Sequence, residues 1–245
     1  MRRQAGRAPD LEALDAALVD CFACPRLVRW REQVAREKRA AFRDQDYWGR
    51  PVPGFGPADA TVAVLGLAPA AHGANRTGRV FTGDRSGDWL FASLHRVGLA
   101  NQPTSTHVDD GLELHGVRVL AAVRCAPPAN QPTPTERDTC APWADRELEL
   151  LAPTLRVLVC LGGFGWQAGI RALRDRGYAV PGSPRFGHGV ELEVAGPSGA
   201  ESVTLLGCYH PSQQNTFTGR LTEPMTDAVF SRAVELAGRH TSVDL

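Results

Sequence analysis

The chain has 245 residues, of which 43% are hydrophobic and 22% are charged, a composition typical of a folded globular domain. No apolar run approaches the roughly 20 residues of a membrane span, and the basic residues 1–7 are not followed by the apolar core of a signal peptide, so we expect a cytoplasmic protein without a membrane partner. Lys plus Arg and Asp plus Glu balance at 27 each, which means that any binding of nucleic acid has to depend on a local basic patch.

Two helices are predicted near the N-terminus, over residues 11–19 and 25–42, from the spacing of their apolar residues. The second prediction overlaps a strongly basic stretch, residues 26–43, whose acidic residues are only Glu32 and Glu37. Its basic residues are Arg26, Arg29, Arg31, Arg36, Lys38, Arg39 and Arg43. Such a stretch is either a surface for phosphates or the solvated face of an amphipathic helix, and charge alone does not separate the two.

Beyond a Pro- and Gly-rich connection over residues 47–57, short apolar runs alternate with helical patterns. Strands are predicted over residues 61–67, 117–124, 156–161 and 203–208. Helices are predicted near residues 86–97, 135–151, 164–176 and 222–237. This alternation predicts an α/β fold with a four-stranded, mostly parallel sheet between helices. Right-handed crossovers would bring the loops that follow the strands to one edge of the sheet.

The loop over residues 66–84 is rich in Gly, Asn, Thr and Arg and joins the first strand to a helix. Open α/β sheets place their ligands at such strand ends, although the spacing here fits neither a dinucleotide fingerprint nor a P-loop. The last strand leads into a second polar loop that begins at Tyr209 and His210. Taken singly, the polar residues have structural explanations as well, because Asp84 could cap the following helix and Asn130 could form a turn.

Four of the six cysteines lie outside the apolar runs. Cys21 and Cys24 form a CxxC pair, and Cys125 and Cys140 lie in Pro-rich surroundings, whereas the remaining two cysteines are expected to be buried. Four thiolates are the number required by an iron–sulfur cluster or by a tetrahedral zinc ion, and the spacing does not choose between these metals.

Several separated motifs, in this order along the chain, resemble the iron–sulfur branch of the uracil-DNA glycosylase superfamily, and most of all its family 5, the type B enzymes. The motifs are Gly-Leu-Ala-Pro at 66–69, Gly-Arg-Val-Phe-Thr-Gly at 78–83, the four cysteines, and His-Pro-Ser at 210–212. The resemblance covers about residues 21–220. It implies a single domain over residues 1–245, with an N-terminal extension (1–20), a cluster-binding and basic arm (21–57) and an α/β core (58–240). It also implies a monomer and a four-iron, four-sulfur (4Fe-4S) cluster held by Cys21, Cys24, Cys125 and Cys140.

By the same resemblance, the chain would flip a deaminated base out of double-stranded DNA and hydrolyse its N-glycosidic bond in a bacterial cytosol. Asp84 would orient the attacking water, Asn130 would assist, and His210 would stabilise the departing base. The residues implied to bind the substrate are Gly66, Ala68, Pro69, His72, Asn75 and Phe81. The residues implied to bind DNA are Ser212, Gln213, Gln214, Asn215 and Arg220.

One departure from the wider superfamily concerns the third position of the first motif, where many relatives place a polar residue and this chain has Ala68. Ala121 and Ala122 likewise stand where relatives often have an asparagine that reads the base edge. A pocket without such groups should discriminate poorly between bases, so we expect activity on hypoxanthine as well as on uracil. Two other functions stay open: a non-catalytic iron–sulfur module that binds DNA, and a small-molecule hydrolase, although no Gly-x-Ser-x-Gly elbow supports the latter.

Overall fold

A computed structural model describes residues 1–239 of the chain, and five strands form its single sheet. The strands are β1 (Val62–Gly66), β2 (Val117–Ala121), β3 (Val157–Leu161), β4 (Glu191–Val194) and β5 (Val203–Cys208). They follow the order β2-β1-β3-β5-β4, with β4 antiparallel to β5 and every other pair parallel. The predicted α/β class and its four parallel strands are therefore confirmed.

Helices cover both faces of this sheet, as strand–helix alternation predicts. They are α1 (Arg2–Ala5), α2 (Leu11–Leu18), α3 (Pro25–Glu37), α4 (Ala74–Thr77), α5 (Arg85–Arg96), α6 (Pro134–Leu151), α7 (Gly162–Asp175), α8 (Gln213–Phe217) and α9 (Glu223–Arg239). Short 3-10 turns occupy Ala40–Phe42 and Pro128–Asn130. Within residues 1–239, none of these helices combines the length and the apolar character that crossing a membrane requires.

The predicted count of four strands is wrong, because the sheet has β4 as a fifth strand at its edge. In β4 two glutamates alternate with Leu192 and Val194, and three of the four residues are at least partly exposed. Half-exposed edge strands lack the continuous apolar run that marks a strand buried on both faces. The predicted helix over 25–42 also ends early, at Glu37, because Lys38 adopts the left-handed φ of 52°.

The N-terminal helices belong to the main core of the molecule. Leu11, Leu14 and Leu18 of α2 are buried in the same hydrophobic cluster as Leu65 of β1 and Leu158 of β3. The segment 1–20 is therefore packed against the α/β core, and its leucine spacing reflects that packing.

The parallel strands end at one edge of the sheet, and this edge positions the site. Gly66 pairs with Ala121 in register, and Leu161 pairs with Cys208, so the loops that follow these strands emerge side by side. The loops that carry Asp84, Asn130 and His210 thus meet at the carboxyl edge, where open α/β sheets bind ligands.

Candidate active site

Three loops enclose one cavity of about 540 Å³ at the carboxyl edge of the sheet, a size typical of small-molecule sites. It brings together Asp84, Asn130 and His210, which lie far apart in the sequence. The other lining residues are Leu67, Ala68, Pro69, Ala70, Val80, Phe81, Arg85, Ser86, Ser212, Gln213 and Gln214. The lining of the cavity therefore combines apolar side chains with a few polar side chains that converge on the same space.

Phe81 forms an aromatic wall of the cavity and stands opposite His210, with 6.0 Å between the ring centroids and 35° between the planes. Gly66 does not line the cavity but lies behind this ring, and a methyl group on Gly66 would come within 2.8 Å of two Phe81 ring carbons. Phe81 also has a φ of 53°, a left-handed conformation that is strained for a bulky residue. The surrounding turn therefore has to hold Phe81 in place.

Hydrogen bonds from two sides fix the turn that carries Phe81 and Asp84. Arg76 donates from Nη2 to the Gly83 carbonyl oxygen at 2.9 Å, and Thr77 Oγ1 donates to the Thr82 carbonyl oxygen at 3.2 Å. From the other side, the Gly83 amide donates to the Ser105 carbonyl oxygen at 2.9 Å. These bonds secure the backbone of Thr82 and Gly83, between Phe81 and Asp84.

A buried ion pair between Arg79 and Asp110 also supports this turn. Arg79 donates from Nη2 to both carboxylate oxygens of Asp110, at 2.8 and 2.7 Å, and from Nε to Thr82 Oγ1 at 2.9 Å. Burial acts to raise the pKa of Asp110, but the hydrogen bonds from Arg79 and from the Thr106 and Leu112 amides outweigh it and lower that pKa to about 2. Asp110 is consequently ionised at neutral pH.

Asp84 is the N-cap of α5, and its Oδ1 accepts a hydrogen bond from the Gly87 amide at 3.0 Å. The structural explanation of this residue is therefore correct, although the cap uses only one carboxylate oxygen. The other oxygen, Oδ2, faces the backbone of Gly73, where an added methyl group would approach it to 2.0 Å. Burial raises the pKa of Asp84 above its ordinary value, against the lowering effect of amide hydrogen bonds and of Arg76.

His210 lies two residues after the end of β5, and burial lowers the pKa of its imidazole to about 4. It is therefore neutral at physiological pH, and a neutral imidazole donates one hydrogen bond and accepts another. Asn215 fixes the backbone of His210, because its Nδ2 donates to the His210 carbonyl oxygen at 2.9 Å. Asn215 is one of the residues predicted to contact DNA; its side chain makes this internal hydrogen bond, and it does not line the cavity.

Asn130 reaches the cavity from an unusual backbone conformation. Both Ala129 and Asn130 have left-handed φ values, 53° and 55°, and the asparagine side chain is exposed. The loop is tied to α3 by Arg26, whose Nη2 donates to the Gln131 carbonyl oxygen at 3.0 Å and to Glu136 at 2.7 Å. This double contact holds the loop of Asn130 at the cavity rim.

Besides Gly66, two further residues predicted to bind substrate lie outside this cavity. His72 lines the neighbouring cleft, and its Nδ1 is 3.0 Å from Tyr47 Oη. Asn75 is fully buried, and its Nδ2 donates to the Arg31 carbonyl oxygen at 3.2 Å, so it joins α4 to α3. An asparagine in a polar loop gives no sign in the sequence of which way its side chain points.

Arg85 and Ser86 also line the cavity, although no sequence motif singles them out. Arg85 also borders the neighbouring cleft, together with Arg39 and Arg76. Its guanidinium lies 4.8 Å from the ring centroid of Phe217, which is 66% exposed at the end of α8. The sequence feature that could have identified Arg85 is its position directly after Asp84, at the first residue of a helix that starts at a ligand loop.

Arg220, another residue predicted to bind DNA, is exposed, and its guanidinium lies 4.8 Å from the centroid of the Tyr209 ring.

A second, small pocket is lined by all four non-strand cysteines, Cys21, Cys24, Cys125 and Cys140. The Arg124 amide donates to Cys140 Sγ at 3.2 Å. Burial raises the pKa of Cys125 to about 11 and that of Cys140 to about 12. Among residues 1–239, no three His, Cys, Asp or Glu side chains are grouped as the ligands of one metal ion. Cys160 and Cys208 lie in the core, as expected.

Arg31 does not belong to the exposed basic face of α3. It was counted in the basic stretch 26–43, but its exposed fraction is 0%, and its Nη1 donates to Cys125 Sγ at 3.0 Å and to the Cys21 carbonyl oxygen at 3.1 Å. It shares the buried face of the helix with Leu27 and Val34. Both alternatives for the basic stretch, a phosphate surface and a solvated helix face, would place Arg31 at the surface, and for this residue both are wrong.

The model of the Uracil DNA glycosylase superfamily matches residues 53–235, most of the chain and all of the cavity described above. This chain belongs to the uracil-DNA glycosylase superfamily. It is 57% identical to a "Type-5 uracil-DNA glycosylase" of Mycobacterium tuberculosis, over 96% of this chain and 84% of that protein. Proteins of the same name from Thermus thermophilus and Pyrobaculum aerophilum are 50% and 44% identical, covering 94% and 90% of this chain and 99% and 91% of their own lengths.

Proposed function

We propose that this member of the superfamily is a monofunctional uracil-DNA glycosylase that takes a deaminated base out of double-stranded DNA and hydrolyses its N-glycosidic bond. The observation that carries the proposal is the meeting of Asp84, Asn130 and His210 in one cavity beside the Phe81 ring. The names of the similar proteins support it, because they are uracil-DNA glycosylases that cover nearly the whole chain.

His210 stabilises the departing base. Cleavage of the bond between sugar and base leaves negative charge on the base, next to a carbonyl oxygen. A neutral imidazole in a desolvated site donates a hydrogen bond to that oxygen, and such preorganised donors provide a large part of enzymatic rate enhancement. The lowered pKa of His210 supports this role, because it keeps the imidazole neutral across the physiological range.

Asp84 directs the attacking water and balances the positive charge that develops on the sugar. Its carboxylate lines the cavity, and its capping bond to the Gly87 amide fixes its orientation through one oxygen. Asn130 faces the same space from the opposite loop and assists by holding the water or the base edge. Phe81 stacks on the extruded base, as aromatic side chains do in base-flipping enzymes.

The range of bases should be broad. Ala68 lines the cavity without offering a polar group, and Ala121 and Ala122 are buried at the end of β2. Strong discrimination requires buried polar groups that a wrong base leaves unpaired. We therefore propose that hypoxanthine is excised as well as uracil, and that Asp84 performs the water-directing role that Ala68 cannot.

The loop that follows His210 contacts the duplex. Gln213, Gln214 and Phe217 of α8 are exposed, and the two glutamines also line the cavity. An apolar side chain inserted between base pairs compensates for the loss of stacking when a nucleotide leaves the helix. Arg39 and Arg85 are exposed at the adjoining cleft and offer positive charge for the phosphates.

We further propose that Cys21, Cys24, Cys125 and Cys140 hold a 4Fe-4S cluster. The charge around the four cysteines supports a bound cluster. The buried Arg31 guanidinium has no carboxylate partner within residues 1–239, and its side-chain acceptor is Cys125 Sγ. A buried cation needs an anion, and cluster-bound thiolates provide one. When bound, the cluster supplies a structural cross-link between the N-terminal arm and the α6 region.

The decisive experiment incubates the purified protein with duplexes that contain a single uracil or a single hypoxanthine. We expect free base together with an alkali-labile abasic site from both duplexes. A duplex that is bound but never loses its base would show instead a non-catalytic DNA-binding module, and excision confined to uracil would refute the broad base range.

A further inference from the structure

Arg31 has a charge that the described protein does not balance. It is fully buried in α3, and its Nε and Nη2 have no hydrogen-bond partner among residues 1–239. Its Nη1 contacts are Cys125 Sγ at 3.0 Å and the Cys21 carbonyl oxygen at 3.1 Å. Leaving a guanidinium buried without an anionic partner is strongly unfavourable in proteins. The position is therefore unfavourable unless an anion occupies the adjoining space.

Surrounding contacts hold this guanidinium in place. Its Cζ lies 4.9 Å from the ring centroid of Phe22, which is 58% exposed and separates Arg31 from solvent. The main chain of Arg31 is held by Asn75, whose Nδ2 donates to the Arg31 carbonyl oxygen. Arg31 thus contacts both cysteine segments, through the Cys21 carbonyl and the Cys125 sulfur.

A second buried arginine stands at the same pocket. Arg124 lines the cysteine pocket and is 1% exposed, and its Nε and Nη1 have no partner in the described chain. Its Nη2 bonds Glu147, a carboxylate that it shares with Arg118. Arg118 also donates to Asp15 Oδ2 at 3.0 Å, so two carboxylates face these two guanidinium groups, and Arg31 is the arginine at this pocket with no carboxylate partner within residues 1–239.

We propose that Arg31 is the residue that sets the reduction potential of the 4Fe-4S cluster and slows its oxidative loss, by donating a hydrogen bond to Cys125 and placing a fixed positive charge beside it. The inference rests on the cluster of the proposed function. Hydrogen bonds to the ligating sulfur and nearby positive charge both stabilise the more negative, reduced form of a cluster. Arg31 is a positioning residue here, because it acts on the cluster through Cys125 and is remote from the base cavity.

The test compares the wild type with Arg31→Met, Arg31→Lys and the matched control Arg29→Met, which removes an exposed arginine from the same helix. Each protein is prepared without oxygen, and its iron and sulfide content, its potential in an EPR-monitored titration and its rate of colour loss in air are measured. We expect Arg31→Met to shift the potential to more negative values and to lose iron in air severalfold faster. Arg31→Lys should lie between Arg31→Met and the wild type, because lysine keeps the charge without the planar fork.

An unchanged potential and an unchanged rate of iron loss in Arg31→Met, relative to Arg29→Met, would overturn the inference. If Arg31→Met fails to fold, Arg31→Lys and Phe22→Ala decide the question, because the first keeps a charge without the guanidinium fork and the second removes the ring that packs on the guanidinium. Potentials and rates of iron loss equal to those of Arg29→Met in both variants would then overturn the inference. Wild-type protein that excises uracil but contains no iron would overturn both the cluster and the role of Arg31 while leaving the glycosylase proposal intact.

Discussion

The carboxylate of Asp84 packs against the backbone of Gly73, so closely that a methyl group on Gly73 would come within 2.0 Å of Asp84 Oδ2. Gly73 lies in the same loop, one residue before α4, and α4 in turn supplies Arg76 to the turn that holds Asp84. The loop between β1 and α5 thus folds back on itself, and its two ends determine where the carboxylate points.

Gly73→Ala should therefore displace Asp84 and lower the rate of uracil excision by about 100-fold, since a misplacement of 1 Å can have that effect. The rate is measured in single turnover on a uracil duplex. Gly238→Ala is the matched control, because its added methyl group would meet no atom within 4 Å in the described part of the chain. Equal rates for the two variants would show that the position of Asp84 does not limit the reaction.

His210 should titrate far below the ordinary histidine range, because burial lowers its pKa to about 4. A folded-state pKa below the unfolded value means that the neutral form is favoured in the native protein, so acidification destabilises the fold as pH falls from about 6.5 towards 4. We expect the His210 signals to stay constant in an NMR titration from pH 8 to 5. A midpoint near 6.5 would contradict the neutral donor that the mechanism requires.

Asp110→Asn should destabilise the fold by about 2 kcal/mol at pH 7, because its pKa of about 2 lies below the unfolded value of 3.8. Because the pKa is depressed, the stabilisation that ionised Asp110 provides is fully present above about pH 4 and is lost as the pH falls through about 2. The free energies of unfolding of the wild type and of Asp110→Asn, measured in urea, should therefore become equal as the pH is lowered. Asp46→Asn, at an exposed position, serves as control and should change stability by less than about 0.5 kcal/mol.

Phe217→Ala should impair excision from duplex DNA about 10-fold or more while sparing single-stranded substrate, because only the duplex requires a side chain to replace the extruded base. The ratio of the two rates is the measurement. Val234→Ala removes a partly exposed apolar side chain from α9 and should leave that ratio unchanged. An equal fall in the excision rate on duplex and on single-stranded substrate would mean that Phe217 supports the site without entering the duplex.

Much of the fold was predictable because the parallel strands are buried on both faces and therefore read as continuous apolar runs. The β5 prediction, residues 203–208, coincides with the observed strand. The edge strand β4 was not predictable in this way, since solvent on one side permits two glutamates among its four residues. Left-handed residues such as Lys38 end an element without any local sequence signal.

The candidate site was predictable to the level of its loops, because parallel topology alone brings the strand ends together. The direction of the side chains was not predictable. Asn75 and Arg31, for example, are buried although they lie in polar segments of the sequence. For Arg31 a signal existed, because its spacing from Leu27 and Val34 places it on the buried face of α3. A buried arginine was unexpected because its side-chain acceptor, Cys125 Sγ, lies 94 residues away in the sequence.

Asp84 combines the observed N-cap of α5 with the water-directing role proposed for it. Asparagine is as good an N-cap as aspartate, so Asp84→Asn keeps the cap of α5 while removing the charge. The most direct measurement is single-turnover excision from a uracil duplex by the wild type and by Asp84→Asn, with thermal unfolding recorded for both. We predict free uracil from the wild type, a rate at least about 100-fold lower in the variant, and equal unfolding temperatures. A variant that excises uracil at the wild-type rate would contradict the assignment of the water-directing role to Asp84.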